Sequence, residues 1–122
     1  MKTTDKILII DLEATCWDGR PPRGQESEII EIGVCIMDAE TGKISQSEGI
    51  LVKPQYSTVS PFCTGLTSIT PKMLDEEGVL FEDALDILRA EYHSENLTWA
   101  SYGNYDVNML RNQARRLTWT IL

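Results

Sequence analysis

Three acids in this sequence have the type and spacing to do chemistry together. Asp11 and Glu13 stand two residues apart at the end of the apolar run KILIID (Lys6 to Asp11), and Asp106 stands in SYGNYDVNML. Residues i and i+2 of a strand point to the same face. If the run is a buried strand, both carboxylates converge on one spot, where like charges repel and lose solvation unless a cation neutralises them. Hard oxygen donors of this kind suit Mg²⁺ or Mn²⁺. Taken alone, Asp-x-Glu also fits a strand that simply emerges into solvent. Asp106 alone also fits an acid favoured by the dipole at a helix start. Neither bland reading explains why all three occur together.

The elements that must bring them together can be read from the pattern. Lys6 to Asp11, rich in β-branched residues, predicts a buried central strand. Glu28 to Asp38 predicts a second, and Ala39 to Gly42 a turn. Lys43 to Lys53 predicts a third strand, antiparallel to the second because the connection is short. Pro54 ends it, and a loop is expected up to Thr70. Thr70-Pro71 signals a helix start, with Gly78 closing that helix. A further helix is expected over Phe81 to Tyr92, with Leu80, Ala84, Leu88 and Tyr92 on its buried stripe. Leu97 to Tyr102 predicts a fourth strand, Gly103 and Asn104 a turn, and Tyr105 to Leu117 a last helix. The helical crossover before the fourth strand lets it lie parallel to the first, which would set Asp106 beside Asp11 and Glu13. The whole is an α/β mixed sheet with helices on its faces.

Composition sets the frame. The 122 residues are one domain by length, with 42% hydrophobic and 25% charged residues, ordinary for a globular chain. No apolar run reaches the roughly 18–20 residues of a membrane helix. The N-terminus meets an acid before a signal-peptide core could form, so a cytoplasmic protein is expected, with no membrane partner. Cys16, Cys35 and Cys63 form no CxxC pair and fit free thiols. Nineteen acids against 11 Lys and Arg give a formal charge of −8. That argues against a basic surface gripping long nucleic acid.

The stretches ILIIDLEATCW, EIIEIGV, FCTGLTSIT and SYGNYDVNML resemble the DEDD superfamily of 3′–5′ exonucleases. The resemblance is to the DnaQ-like branch that includes ribonuclease T and oligoribonuclease, and most of all to the ERI-like RNA exonucleases. It runs from Lys6 to about Leu117. It implies a ribonuclease-H-like fold in which three antiparallel strands are followed by a parallel one. It also implies two divalent cations, Mg²⁺ or Mn²⁺, held by four acids at the 3′ end of a single strand. Asp11 and Glu13 match the first motif and Asp106 the second, as catalytic and metal-binding residues. Ala14, Thr15, Leu66 and Asn104 would hold the terminal nucleotide, with Leu66, in the Thr-Gly-Leu-Thr loop, as an apolar wedge on the last base. Leu66 equally fits a loop residue pinned to the core. A short single-stranded end needs few contacts, so an acidic chain is no contradiction. RNA is favoured by the ERI-like likeness.

The family's third motif, a general-base His followed by a fourth Asp, has no counterpart here. No His or Asp follows Asp106, and the only histidine, His93, reads as a helix-end residue. The fold is therefore expected to be C-terminally incomplete and the chain weak or inactive as a nuclease by itself. The fourth strand would form an open edge, which predicts a homodimer by strand pairing. The alternative is a non-catalytic module that keeps the fold and binds nucleic acid or protein. Arg20, Arg23, Arg111 and Arg115 are phosphate-contact candidates or simply solvated, and Trp17 is a base-stacking candidate or a loop anchor.

Overall fold

The computed structural model describes residues 3–101 and 105–121. The apolar run near the N-terminus forms the centre of the sheet. β1 (Thr3–Ala14) pairs antiparallel with β2 (Ile29–Asp38), which pairs antiparallel with β3 (Ile44–Leu51). On its other side β1 pairs parallel with β4 (Leu97–Ala100), giving the order β3-β2-β1-β4. The expected mixed sheet is present, with the parallel pair beside the antiparallel three.

Period-two alternation decides which side of β1 is dry. Leu8, Ile10 and Leu12 are buried on one face, and Asp11 and Glu13 lie on the other. β2 contributes Ile32, Val34 and Ile36 to the same dry face. α3 (Phe81–Tyr92) closes it with Phe81, Ala84, Leu88 and Tyr92, and α4 (Tyr105–Ile121) adds Leu110. The α3 stripe starts one residue later than the periodicity suggested. Leu80 is the N-cap and 42% exposed, so Phe81 takes the place assigned to it. The Tyr92 hydroxyl donates to Glu48 Oε1 at 2.8 Å, tying α3 to β3. His93 is the left-handed C-cap of α3, at the helix end as its position predicted.

The segment expected as a loop before Thr70 contains a helix, α1 (Pro61–Thr67). Ser60 caps it, accepting from Cys63 N–H at 3.0 Å, and Pro61 stands at its start. This is the same hydroxyl-then-proline signal that opens α2 (Pro71–Glu77), where Thr70 accepts from Met73 N–H at 3.1 Å. Gly65 weakened the helical pattern without breaking it. α1 and α2 cover a second, smaller core of Ile30, Cys63, Ile69 and Leu74. Gly78 ends α2 as expected, though for want of room rather than for a left-handed turn. Its φ is −71°, but a Cβ there would meet Leu74 O at 2.5 Å and Lys53 Cγ at 2.9 Å.

Candidate active site

The acidic face of β1 reaches its C-terminal end where β4 has already stopped. The parallel pairing ends at Ile9↔Ala100, so the Leu12 N–H beyond it finds no strand partner on that side. Asp106, in the first turn of α4, takes it: Leu12 N–H donates to Asp106 Oδ2 at 3.3 Å. Leu12 lies between Asp11 and Glu13, so the third acid meets the first two across a separation of more than ninety residues. A fourth joins them. Glu31 is the cross-strand partner of Glu13, and Gly33 that of Asp11. On β3, Gly49 leaves room for Glu31, whose Oε2 would lie 2.7 Å from any Cβ there.

This crowding has an electrostatic signature. Burial, then the charges of Asp11, Glu31 and Asp106, push the Glu13 carboxyl above the usual glutamate value. None of the four carboxylates forms an ion pair with a described Lys or Arg. They converge without closing into a cage: among the described residues no three His, Cys, Asp or Glu side chains are gathered tightly enough to hold an ion as they stand. The donor chemistry still fits a hard divalent cation. The donors are oxygens, their charges repel, and a cation would relieve both that repulsion and the lost solvation of Glu13.

The remaining expected residues divide. Ala14 is half-buried and its carbonyl accepts from the Cys63 thiol at 3.5 Å. Thr15 is fully buried and its side chain does not reach the surface. Its hydroxyl accepts from Glu28 N–H at 2.9 Å and lies 3.0 Å from Ser57 Oγ. Glu28, itself 1% exposed, accepts from Tyr56 N–H, Gln55 N–H and the Ser57 hydroxyl. Thr15 thus clasps the end of β1 to the 55–57 loop. Leu66 lies on α1, not in a loop, and is 67% exposed, which removes the reading that it is pinned to the core. Asn104 lies outside the described residues. Arg20, Arg23 and Arg115 are exposed, and Arg111 lines a cavity of about 320 Å³ with Leu85, Leu88 and Trp99. The engaged arginine of α4 is Arg116, 3.2 Å from Glu26 and 5.5 Å over the Tyr56 ring. The Cys16 thiol is pushed up to about 11 by burial and by Cys63, so the metal-free thiol stays protonated at neutral pH.

A family model for exonucleases of the RNase T type matches residues 8–119. The chain belongs to that exonuclease family. It is 34% identical over 126 residues to the 3′-5′ exonuclease Snipper of Drosophila melanogaster, covering 98% of this chain and 43% of that protein. It is 42% identical over 72 residues to human 3′-5′ exoribonuclease 1, covering 58% of this chain and 20% of that protein. The nuclease domain of 3′hExo, a DEDDh family member solved bound to rAMP, superposes with a TM-score of 0.76 at 28% identity. That match covers 92% of this chain and 60% of that domain's chain. The chain therefore spans less than two thirds of these relatives' own length. The family's fold is the mixed sheet described above, and its chemistry is hydrolysis.

Glu31 and Gln113 belong to the architecture of this site, and sequence reasoning passed over both. Glu31 becomes visible only once the β1–β2 register is known. Nothing in the sequence marks Gln113, a polar residue within α4, yet it is 2% exposed.

Proposed function

We propose that this chain supplies the acidic half of a two-metal 3′–5′ exonuclease site acting on the 3′ end of single-stranded RNA. The observation that carries the proposal is the convergence of Asp106 on the backbone between Asp11 and Glu13. Asp11, Glu13 and Asp106 would hold Mg²⁺ or Mn²⁺, which when bound would supply Lewis acidity for activating water and stabilising a leaving oxygen. The half-buried Ala14 backbone and the exposed Leu66 on α1 would seat the terminal nucleotide, Leu66 against the base. Thr15, through Glu28 and Ser57, holds the end of β1 in place. RNA is favoured because relatives carry the name exoribonuclease and one was solved with rAMP.

No His or Asp follows Asp106 in these 122 residues, so the general base of the family's third motif and the Asp that accompanies it are not among them. Removing a base alone typically costs on the order of 10²–10⁴ in rate. The chain by itself should therefore bind the ion and hydrolyse slowly at best. The test is Mn²⁺ titration followed by an assay on 3′-labelled single-stranded RNA. Binding that Asp11→Ala abolishes, with little mononucleotide release, is the expected result. Fast, EDTA-sensitive release would overturn the weak-activity reading, and no Mn²⁺ binding would overturn the site.

We further propose that copies pair through β4. Of the two outer strands, β3 is guarded by a bulge and by Ser45, Gln46, Ser47 and Glu48. β4 is LTWA, beside the cavity formed by Leu85, Leu88, Trp99 and Leu110.

A further inference from the structure

Two side chains of α4 accept hydrogen bonds from the backbone of the sheet. Asp106 Oδ2 accepts from Leu12 N–H at 3.3 Å, and Gln113 Oε1 accepts from Ile29 N–H at 2.9 Å. The two side chains are two helical turns apart, about 10.5 Å along the axis. They share one stripe with Leu110, which is 2% exposed. Ile29 N–H is buried at an irregular point. The β1–β2 register runs Glu13↔Glu31 and then jumps to Ala14↔Ile29. A bulge of this kind leaves a backbone group without a ladder partner, and Gln113 supplies one at Ile29, across from Ala14 and one step along β1 from Glu13.

Among the described residues, α4 also packs Val107, Met109, Leu110 and Ala114 against the core. Apolar packing is non-directional and tolerates small slides. The Arg116–Glu26 pair is exposed on both sides and screened. The two directional bonds to fixed backbone groups therefore constrain the axial position and rotation of α4 in a way that apolar packing does not.

We infer that Gln113 is a positioning residue: by gripping the β1–β2 bulge it sets where α4 lies, and so where the Asp106 carboxylate stands relative to Asp11 and Glu13. Its relevance to activity rests on the metal-site reading above; the mechanical coupling does not.

The experiment compares amide hydrogen exchange by NMR and Mn²⁺ titration on the full chain. Gln113→Met keeps the volume and removes the acceptor, and Leu88→Ala is a destabilised control on α3. With Val34 as the reference amide, Gln113→Met should speed exchange at Ile29 and also at Leu12 about tenfold. It should weaken Mn²⁺ binding by a similar factor. Leu88→Ala should leave the Leu12-to-Val34 ratio unchanged. Faster exchange at Ile29 with Leu12 unchanged would overturn the inference. If Leu12 responds while the unmutated chain binds no Mn²⁺, the coupling stands and the metal-site reading fails. Should Gln113→Met not fold, Gln113→Asn, one methylene too short, carries the same comparison.

Discussion

Glu13 is the residue on which the local electrostatics converge. Its folded-state pKa is raised by burial and by three neighbouring carboxylates. The protonated form therefore favours the folded state. Its contribution to stability is most favourable below the ordinary glutamate value, and falls as pH rises through the window up to the raised folded value. Glu13→Gln should therefore stabilise the metal-free chain at neutral pH by a few degrees in Tm. The difference from the unmutated chain should vanish in acid, as thermal scans between pH 4 and 8 would show. A cation reverses the balance. With Mn²⁺ at a hundredfold excess over its Kd, the unmutated chain should gain about 2.7 kcal/mol. Glu13→Gln and Asp11→Ala should lose most of that gain. Thermal shifts that are identical with and without Mn²⁺ would contradict this account.

At the scale of elements, α1 is the more consequential of the two short helices. Both start with a capping hydroxyl followed by proline, but Ser60 also donates to Cys16 O at 2.8 Å, which joins α1 to the segment leaving β1. Thr70→Ala should cost about 1 kcal/mol, the ordinary value of a lost N-cap. Ser60→Ala should cost roughly 2 kcal/mol, because it also leaves a part-buried carbonyl without its donor. Urea denaturation of the two variants checks the order, and equal costs would show that the Cys16 link contributes nothing. The α1 helix was legible in principle, since Ser60-Pro61 repeats the signal read correctly at Thr70-Pro71. Gly65 masked it. The α3 stripe was legible except at its first residue, where the cap displaced Leu80 outward and Phe81 inward.

At the scale of the molecule, the sheet holds its acids at one end of β1 and offers β4 as an outer strand. Self-pairing through β4 predicts a concentration-dependent monomer–dimer equilibrium. Sedimentation velocity over a hundredfold concentration range checks it, and a single monomeric species throughout would exclude it. The net charge of −8 acts against such pairing at low salt, so dimerisation should strengthen as ionic strength rises. Part of that charge is the acidic cluster itself, which a bound divalent cation would offset.

The sequence by itself determined the order of the four strands and of every helix but α1, put Asp11 and Glu13 on one face of β1, and singled out Asp11, Glu13 and Asp106 as candidates. These follow from local periods of two and 3.6 residues and from motif spacing, all of which lie along the chain. Tertiary structure alone decided that Asp106 caps the Leu12 N–H, that Glu31 stands across from Glu13, that Thr15 is sealed inside, and that Gln113 holds the β1–β2 bulge. Each of these depends on strand register, or on which backbone groups the sheet leaves without partners. Both are set by pairings between residues far apart in sequence, and no local pattern encodes them.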